Sequence, residues 1–437
     1  MKQLHSILLA ILFLSSSFGY SQDTLALSKS ALWQKISSKN LQLKIANQEF
    51  KAARAEYRQS SAVFLPSISV SHTALVTNNP LMAFGSKLNQ EILTVSDFNP
   101  SLLNDPATTR NFATKIEVLQ PLINPDGIYA RQAAGTKMQV YKLQAERTQE
   151  YLELEVNKSF MQLQLAYKAV AVLEKATATA QANWKLIEGY FKQGMVQKTD
   201  LLLVQVRVNE VKNQLQYAKS NVQNTSDYLA FLLDETMGDT VYKPTEALEN
   251  TIRLDNTPTQ LSLDRKDIKA MDLSSTAYQK MMWSSKMHFL PRLNAFGSYE
   301  WYDATLFGTA AKGYVVGAQL AWNVFDGFKS IGKLEKAKAD WQKAQIETQQ
   351  YKAKSQLELL KTNRQLQDAE NNVQLSELDL EQSQEAYRIR NNRFMQGLEK
   401  TTDLLQSQTQ MFQKELEYLQ AVFNYQFTQQ YLQFLTK

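Results

Sequence analysis

Polar and apolar positions along this chain follow two different periods, and the switch between them happens twice. From Asn40 the run NLQLKIANQEFKAARAEYRQSSAVF spaces its apolar residues as a helix does, until FLP at Phe64–Pro66 gives way to strict alternation. From Arg265 the run RKDIKAMDLSSTAYQKMMWSSKMHF behaves the same way and meets a second FLP at Phe289–Pro291. Proline lacks the N–H that a helix interior needs and biases the preceding residue away from the α region. Pro66 and Pro291 are therefore expected to end helices at Leu65 and Leu290, with strands beyond them.

Four stretches alternate. The first puts Ile68, Val70, Ala74 and Val76 opposite Ser67, Ser69, Ser71 and Thr73. The second sets Ile116 and Val118 against Lys115 and Glu117. The third sets Leu293, Ala295, Tyr299 and Trp301 against Arg292, Asn294, Ser298 and Glu300. The fourth sets Val316, Ala318, Leu320 and Trp322 against Gln319 and Asn323. Period two means one apolar and one polar face, and about ten residues per strand suits a tilted membrane strand. Trp301, Tyr302, Tyr314 and Trp322 lie near strand ends, as interfacial aromatics do. Half-buried soluble sheets alternate as well, so the period alone leaves that reading open.

Between the strands run helices too long for a globule. Ile128 to about Glu188 contains no proline, which at 1.5 Å per residue is roughly 90 Å of helix, and Ile331 to about Asn392 gives the same. Val204, Val208, Val211, Leu215, Ala218 and Val222 step by coiled-coil spacing. Leu334, Ala337, Trp341 and Ala344, and Phe412, Leu416, Leu419 and Phe423, do likewise.

The landmarks recur in order. LINPDG, ending at Gly127, answers WNVFDG, ending at Gly327; YFKQGMVQKTDLL from Tyr190 answers RFMQGLEKTTDLL from Arg393. The chain is thus a twofold internal repeat: 22–238 and 262–437, joined by a linker at 239–261, after a leader at 1–21. From FLP to DG the first repeat is about 25 residues longer, an excess that a surface loop absorbs at small entropic cost. That excess holds NNP, FNP and NDP, which reads as loop chemistry.

Composition narrows the class. Gly is 14 and Pro 9 in 437 residues, a turn-poor balance, and a net charge of +5 without basic runs gives no reason to expect nucleic acid. Lys2, the apolar Ile7–Leu14 and the small-x-small Gly19–Ser21 read as a secretory leader. With Cys 0 there is no disulfide and no lipidated cysteine. An exported chain without another long apolar run enters a membrane only as a closed barrel. Four strands are too few to close one, so several copies must share it.

Catalytic and cofactor signals are missing from the pattern. His5 falls in the leader, and His72 and His288 stand far apart. Met281, Met282, Met287 and His288 resemble a soft-metal cluster but read better as helix packing, so no metal and no cofactor is expected. The hairpin tips hold the candidate chemistry. Gly194 and Gly397 suit left-handed C-caps, and Thr199–Asp200 and Thr402–Asp403 then start helices, where their oxygens satisfy unpaired N–H groups.

With both FLP breaks, both DG pairs and both tips QGMVQKTDLL and QGLEKTTDLL, the sequence resembles the TolC-like outer-membrane efflux proteins over almost the whole mature chain. The resemblance implies a mainly α fold with a membrane β-barrel portion. Four strands from each of three chains would make a trimeric 12-stranded barrel above a coiled-coil α-barrel. It implies a homotrimeric exit duct in the outer membrane, extending into the periplasm of a Gram-negative bacterium, in contact with outer-membrane lipid. Its implied partners are a periplasmic adaptor and an inner-membrane pump, in an efflux or type I secretion system, and no enzymatic activity. At the tips the resemblance makes Asp403 a member of an acidic constriction ring and Asp200 a gate-bonding aspartate. Gln406 stands where a second ring aspartate is known, and Glu399 where an arginine is known. The other reading is a periplasmic coiled-coil adaptor or scaffold without a pore; two hairpins and four long strands argue against it.

Overall fold

The computed structural model describes residues 23–238, 240–248 and 260–437. The expected leader at 1–21 lies outside them, as do residues 239 and 249–259 of the expected linker at 239–261. The chain divides into two units: Asn47–Gln144 with Lys266–Tyr351, and Met1–Ala46 with Ala145–Arg265 and Lys352–Lys437.

The first unit carries the four alternating strands. They are β2 (Ser67–Thr77), β3 (Thr109–Ile123), β5 (Arg292–Asp303) and β6 (Ala311–Ala321), in an antiparallel sheet of order β2-β3-β5-β6. The register pairs Val70 with Ile116, Ile116 with Tyr299, and Tyr299 with Tyr314. It pairs Ser71 with Lys115, and Lys115 with Glu300. The apolar and polar residues picked out strand by strand therefore fuse into one apolar and one polar face. On the apolar face Val70 is 68% exposed and Val316 77%, values that a water-facing surface of a soluble sheet would not favour. On the polar face Lys115 Nζ lies 3.5 Å from Glu300 and 3.6 Å from Glu117, and the Tyr302 hydroxyl donates to Glu300. Trp322 falls just past β6, where its indole N–H donates to the Phe289 carbonyl at 3.0 Å.

The helices before the two prolines stop earlier than expected. Helix α2 (Leu41–Gln59) tightens into a 3₁₀ turn at Ser60–Val63, and α7 (Lys266–Met287) ends in i→i+3 bonds from Phe289 to Lys286 and Leu290 to Met287. The residues ahead of proline are drawn out of the α region, so the last turn narrows before the strand begins. The two DG pairs, alike in sequence, differ in geometry. Pro125 opens α5 (Pro125–Lys192), so Asp126 and Gly127 lie inside its first turn, where Asn124 Oδ1 accepts the Gly127 N–H at 3.2 Å. Gly327 instead takes φ +68°, ahead of α8 (Lys329–Met395).

The long connector after β2 is not a plain loop. Asn79 Oδ1 accepts the Met82 N–H with Pro80 in the first turn of α3 (Pro80–Asn89). Asn99 does the same for Ser101 ahead of Pro100 in the short α4 (Pro100–Asn104). Asn-Pro pairs thus start helices here, because proline is at home at the first helical position behind an asparagine cap. In NDP the proline follows Asp105 instead, and Pro106 lies just past the end of α4.

The second unit holds a two-stranded parallel sheet, β1 (Asp23–Leu27) with β4 (Thr240–Pro244). Around it pack α1 (Lys29–Lys39), the start of α2, and parts of α5 and α6 (Lys198–Leu233), with Leu32, Ile36, Leu152, Leu163 and Leu229 fully buried. Glu235 accepts from the Tyr242 hydroxyl at 2.6 Å and pairs with Lys39 and Lys35; these contacts, the hydroxyl first, hold its carboxyl below the usual range. Asn40 caps α2 through Gln42 and Leu43 N–H groups and donates to the Leu232 carbonyl at 2.9 Å while 4% exposed. Asn40→Ala is expected to cost about 1–2 kcal/mol, read as a lower unfolding midpoint of the purified protein.

Two of the three coiled-coil series line buried seams, while in the third, along α8, Ala344 is buried and Leu334, Ala337 and Trp341 are half-buried. Val204, Val208, Val211 and Val222 are buried along α6, and Phe412 and Phe423 along α9 (Thr401–Thr436). Val172, Ala176, Val211, Met411 and Phe412 form one core shared by both hairpins.

The paired hairpin tips as a candidate constriction

Both long hairpins turn by the same local chemistry. At the first tip the Gly194 N–H donates to the Phe191 carbonyl at 3.0 Å and the Met195 N–H to the Tyr190 carbonyl at 2.9 Å. At the second the Gly397 N–H donates to Phe394 and the Leu398 N–H to Arg393, both at 2.9 Å. Gly194 takes φ +74° and Gly397 φ +75°. Each is a Schellman cap, which needs a left-handed residue at that point, and glycine adopts it without steric cost.

The tips meet. Ile187 from α5, Val204 from α6, Phe394 from α8 and Leu404 from α9 form one buried cluster, exposed 1%, 0%, 5% and 1%. Burying each such side chain is worth about 1.5–3 kcal/mol, so the two turns are held as one body. Tyr190 and Phe394 lie 6.3 Å apart over this core. One turn further in, the Asn183 amide donates to the buried Gln408 side chain at 2.9 Å. A cavity of about 550 Å³ opens between the tips, lined by Tyr190, Asp200, Phe394, Glu399 and Thr402 among others.

The two aspartates have the same place in the pattern and different surroundings. Asp200 reaches back to accept the Gln197 N–H at 3.0 Å, completing the start of α6. Asp403 sits equally in the first turn of α9, but its carboxylate meets, among the described residues, only the Thr402 hydroxyl, at 3.4 Å. Asp200 is thus committed to its helix and Asp403 is the freer charge. Gln406 is exposed one turn along the same face, and Thr199 and Thr402 are exposed beside the turns.

Glu399 is placed by residues that the sequence reading did not consider. Arg390 Nη1 donates to it at 3.1 Å and Arg393 Nε at 2.9 Å, leaving its side chain 12% exposed. The clamp lies within one hairpin, because the Schellman cap folds Leu398 back onto Arg393 and delivers Glu399 over the last turn of α8. The signal was present: two arginines three apart, ahead of the Gly397 turn, with an acid just after it. Glu399 is thereby neutralised locally, which leaves Asp200 and Asp403 as the tip carboxylates without a cationic partner among the described residues, and of the two Asp403 is the less tied down.

Pro66 and Pro291, far along the chain from the tips, sit at the helix-to-strand breaks and take no part in this cluster. His288 Nδ1 lies 3.5 Å from Asp126 and 3.0 Å from Arg292, which also donates bidentately to Asp126. Among the described residues no group of three His, Cys, Asp or Glu side chains is arranged to hold a metal. No described helix is long and apolar enough to cross a membrane.

Residues 32–235 and 257–436 match the model of a family described as outer membrane efflux protein. The fold is similar to the outer membrane channel CmeC of Campylobacter jejuni, with a TM-score of 0.82 and 15% identity over 93% of this chain and 85% of that one. It is similar to the outer membrane protein VceC of Vibrio cholerae, with a TM-score of 0.77 and 14% identity over 93% and 96%. The open state of the MtrE outer membrane channel of Neisseria gonorrhoeae gives 0.77 and 14% over 93% and 88%. No curated protein matches the sequence.

Proposed function

Because the chain belongs to the outer membrane efflux protein family, we propose that it is the exit duct of a tripartite efflux or type I secretion system. It works in the outer membrane, in a family of efflux proteins and not of enzymes. The observation that carries the reading is the open sheet: one mainly apolar face, one mainly polar face and two edges, β2 and β6, whose outer sides no other strand pairs among the described residues. In a bilayer both edges must be paired, and the apolar face must meet lipid. Three copies of a four-stranded sheet close a twelve-stranded barrel, polar face inward. The protein itself carries no energy-converting motif, so an inner-membrane pump supplies the drive and a periplasmic adaptor joins the two.

The tips are the proposed periplasmic constriction, with Asp403 its selective charge. Three copies of an uncompensated carboxylate near one axis favour cations and repel anions. Asp200 and Glu399 act differently: the first secures a helix start, the second fixes the turn that presents Lys400–Asp403. Asp403→Asn is isosteric and leaves the tip core alone. The reversal potential of the reconstituted pore under a salt gradient is expected to move toward zero, a roughly severalfold loss of cation preference. An unchanged potential would remove Asp403 from the constriction.

A further inference from the structure

We infer that α3, in the connector between β2 and β3, forms an apolar collar inside the outward mouth of the barrel. The inference rests on the barrel reading above. The helices α2 and α5 join β2 and β3 at one end of the sheet, so the connector lies at the other, outward end. Two observations place α3 on the inner side. Ala83, Ser86 and Gln90 share one helix face and are exposed only 0%, 5% and 3%. The side chains buried at that end of the sheet, Thr109, Asn111 and Ala311, all belong to the polar face by register, together with Ser71, Lys115 and Glu300. The Gln90 amide donates to Asn111 Oδ1 at 2.9 Å and to the Arg110 carbonyl at 2.8 Å, fixing the helix to that face.

The helix is braced as well as seated. Phe84 packs edge-on to Phe98 at 5.7 Å, and Lys87 pairs with Asp97 at 2.7 Å. Asp97 also accepts the Thr94 N–H at 2.8 Å. The side of α3 turned away from the sheet carries Leu81, 81% exposed, and Leu88, 56% exposed, seven residues apart on one line. A helix laid on the inner wall with leucines turned from it presents them to the axis, where the same helices of the other two copies present theirs. A narrow ring of leucines sheds water, so hydrated ions cross it poorly while apolar or amphipathic cargo does not meet the same barrier.

The chain has Cys 0, so one introduced cysteine is a unique reporter. Ser71→Cys, on the polar face below α3, is treated on intact cells with a small charged methanethiosulfonate. Leu81→Ser with Leu88→Ser in the same chain is expected to raise the labelling rate roughly tenfold or more, by wetting the collar. A second variant replaces residues 79–107 with a short Gly/Ser turn, and there a bulky polyethylene-glycol maleimide should react too. Acceleration in either variant supports the collar; equal rates in the parent and both variants overturn it. Val70→Cys, on the apolar face, separates the two readings. If it reacts with the charged reagent as fast as Ser71→Cys, the barrel reading itself has failed.

Discussion

Val316→Arg is expected to deplete the assembled protein from the outer membrane almost completely. Val316 lies mid-strand in β6 on the apolar face and is 77% exposed within the chain. An arginine facing lipid near the bilayer midplane costs about 2–4 kcal/mol, and a symmetric barrel incurs that cost in every copy. Ser71→Arg, on the other face of the same sheet, should assemble at near-parental levels, because its charge faces the aqueous lumen. Quantifying the heat-resistant oligomer in outer-membrane fractions checks both. Equal yields from the two variants would contradict the assignment of faces.

Leu404→Ala should have the second largest effect, and at the opposite pole of the function. Leu404 is 1% exposed in the core shared by both tips, so its truncation costs about 2–5 kcal/mol in lost burial and cavity. The loss is concentrated where α5, α6, α8 and α9 are held as one body. The barrel should still assemble, while the tips loosen. Longer open times in single-channel recordings, with faster amide exchange in the first turn of α9, are the expected readout. A parental gating pattern would mean that the tip core does not hold the constriction.

Much of this is legible in the sequence. The strand faces were readable because alternation is a strong signal when repeated over ten residues, and the register then only had to join like to like. The seams of α6 and α9 were readable for the same reason, at a different period. Three features escaped. The β1–β4 pair is five residues long on each side and joins positions more than 200 apart in sequence, so no local pattern announces it. The connector helix α3 was hidden because NNP and FNP punctuate loops and also start helices; only the caps of Asn79 and Asn99 decide which. The Arg390–Glu399–Arg393 clamp depends on a turn folding back on its own helix, and a reading by residue type sees three exposed charges there. Conversely, Asp200 and Asp403 look equivalent in sequence and are not. One carboxylate is used by a backbone N–H and the other meets a neighbouring hydroxyl at 3.4 Å.

The unpaired edges of β2 and β6 bear on the life of the chain before it reaches its membrane. Each newly exported copy carries two rows of free N–H and C=O groups and a broad apolar face into water, the arrangement that templates wrong pairing. Correct closure needs three copies to meet, whereas misassembly can begin with any two and continue without limit, because an open edge always remains. The chain is therefore most vulnerable in transit, and its fate is a race between escort to the membrane and encounter with its own kind. Raising the rate of synthesis should saturate the yield of working ducts while sheet-linked aggregates continue to climb.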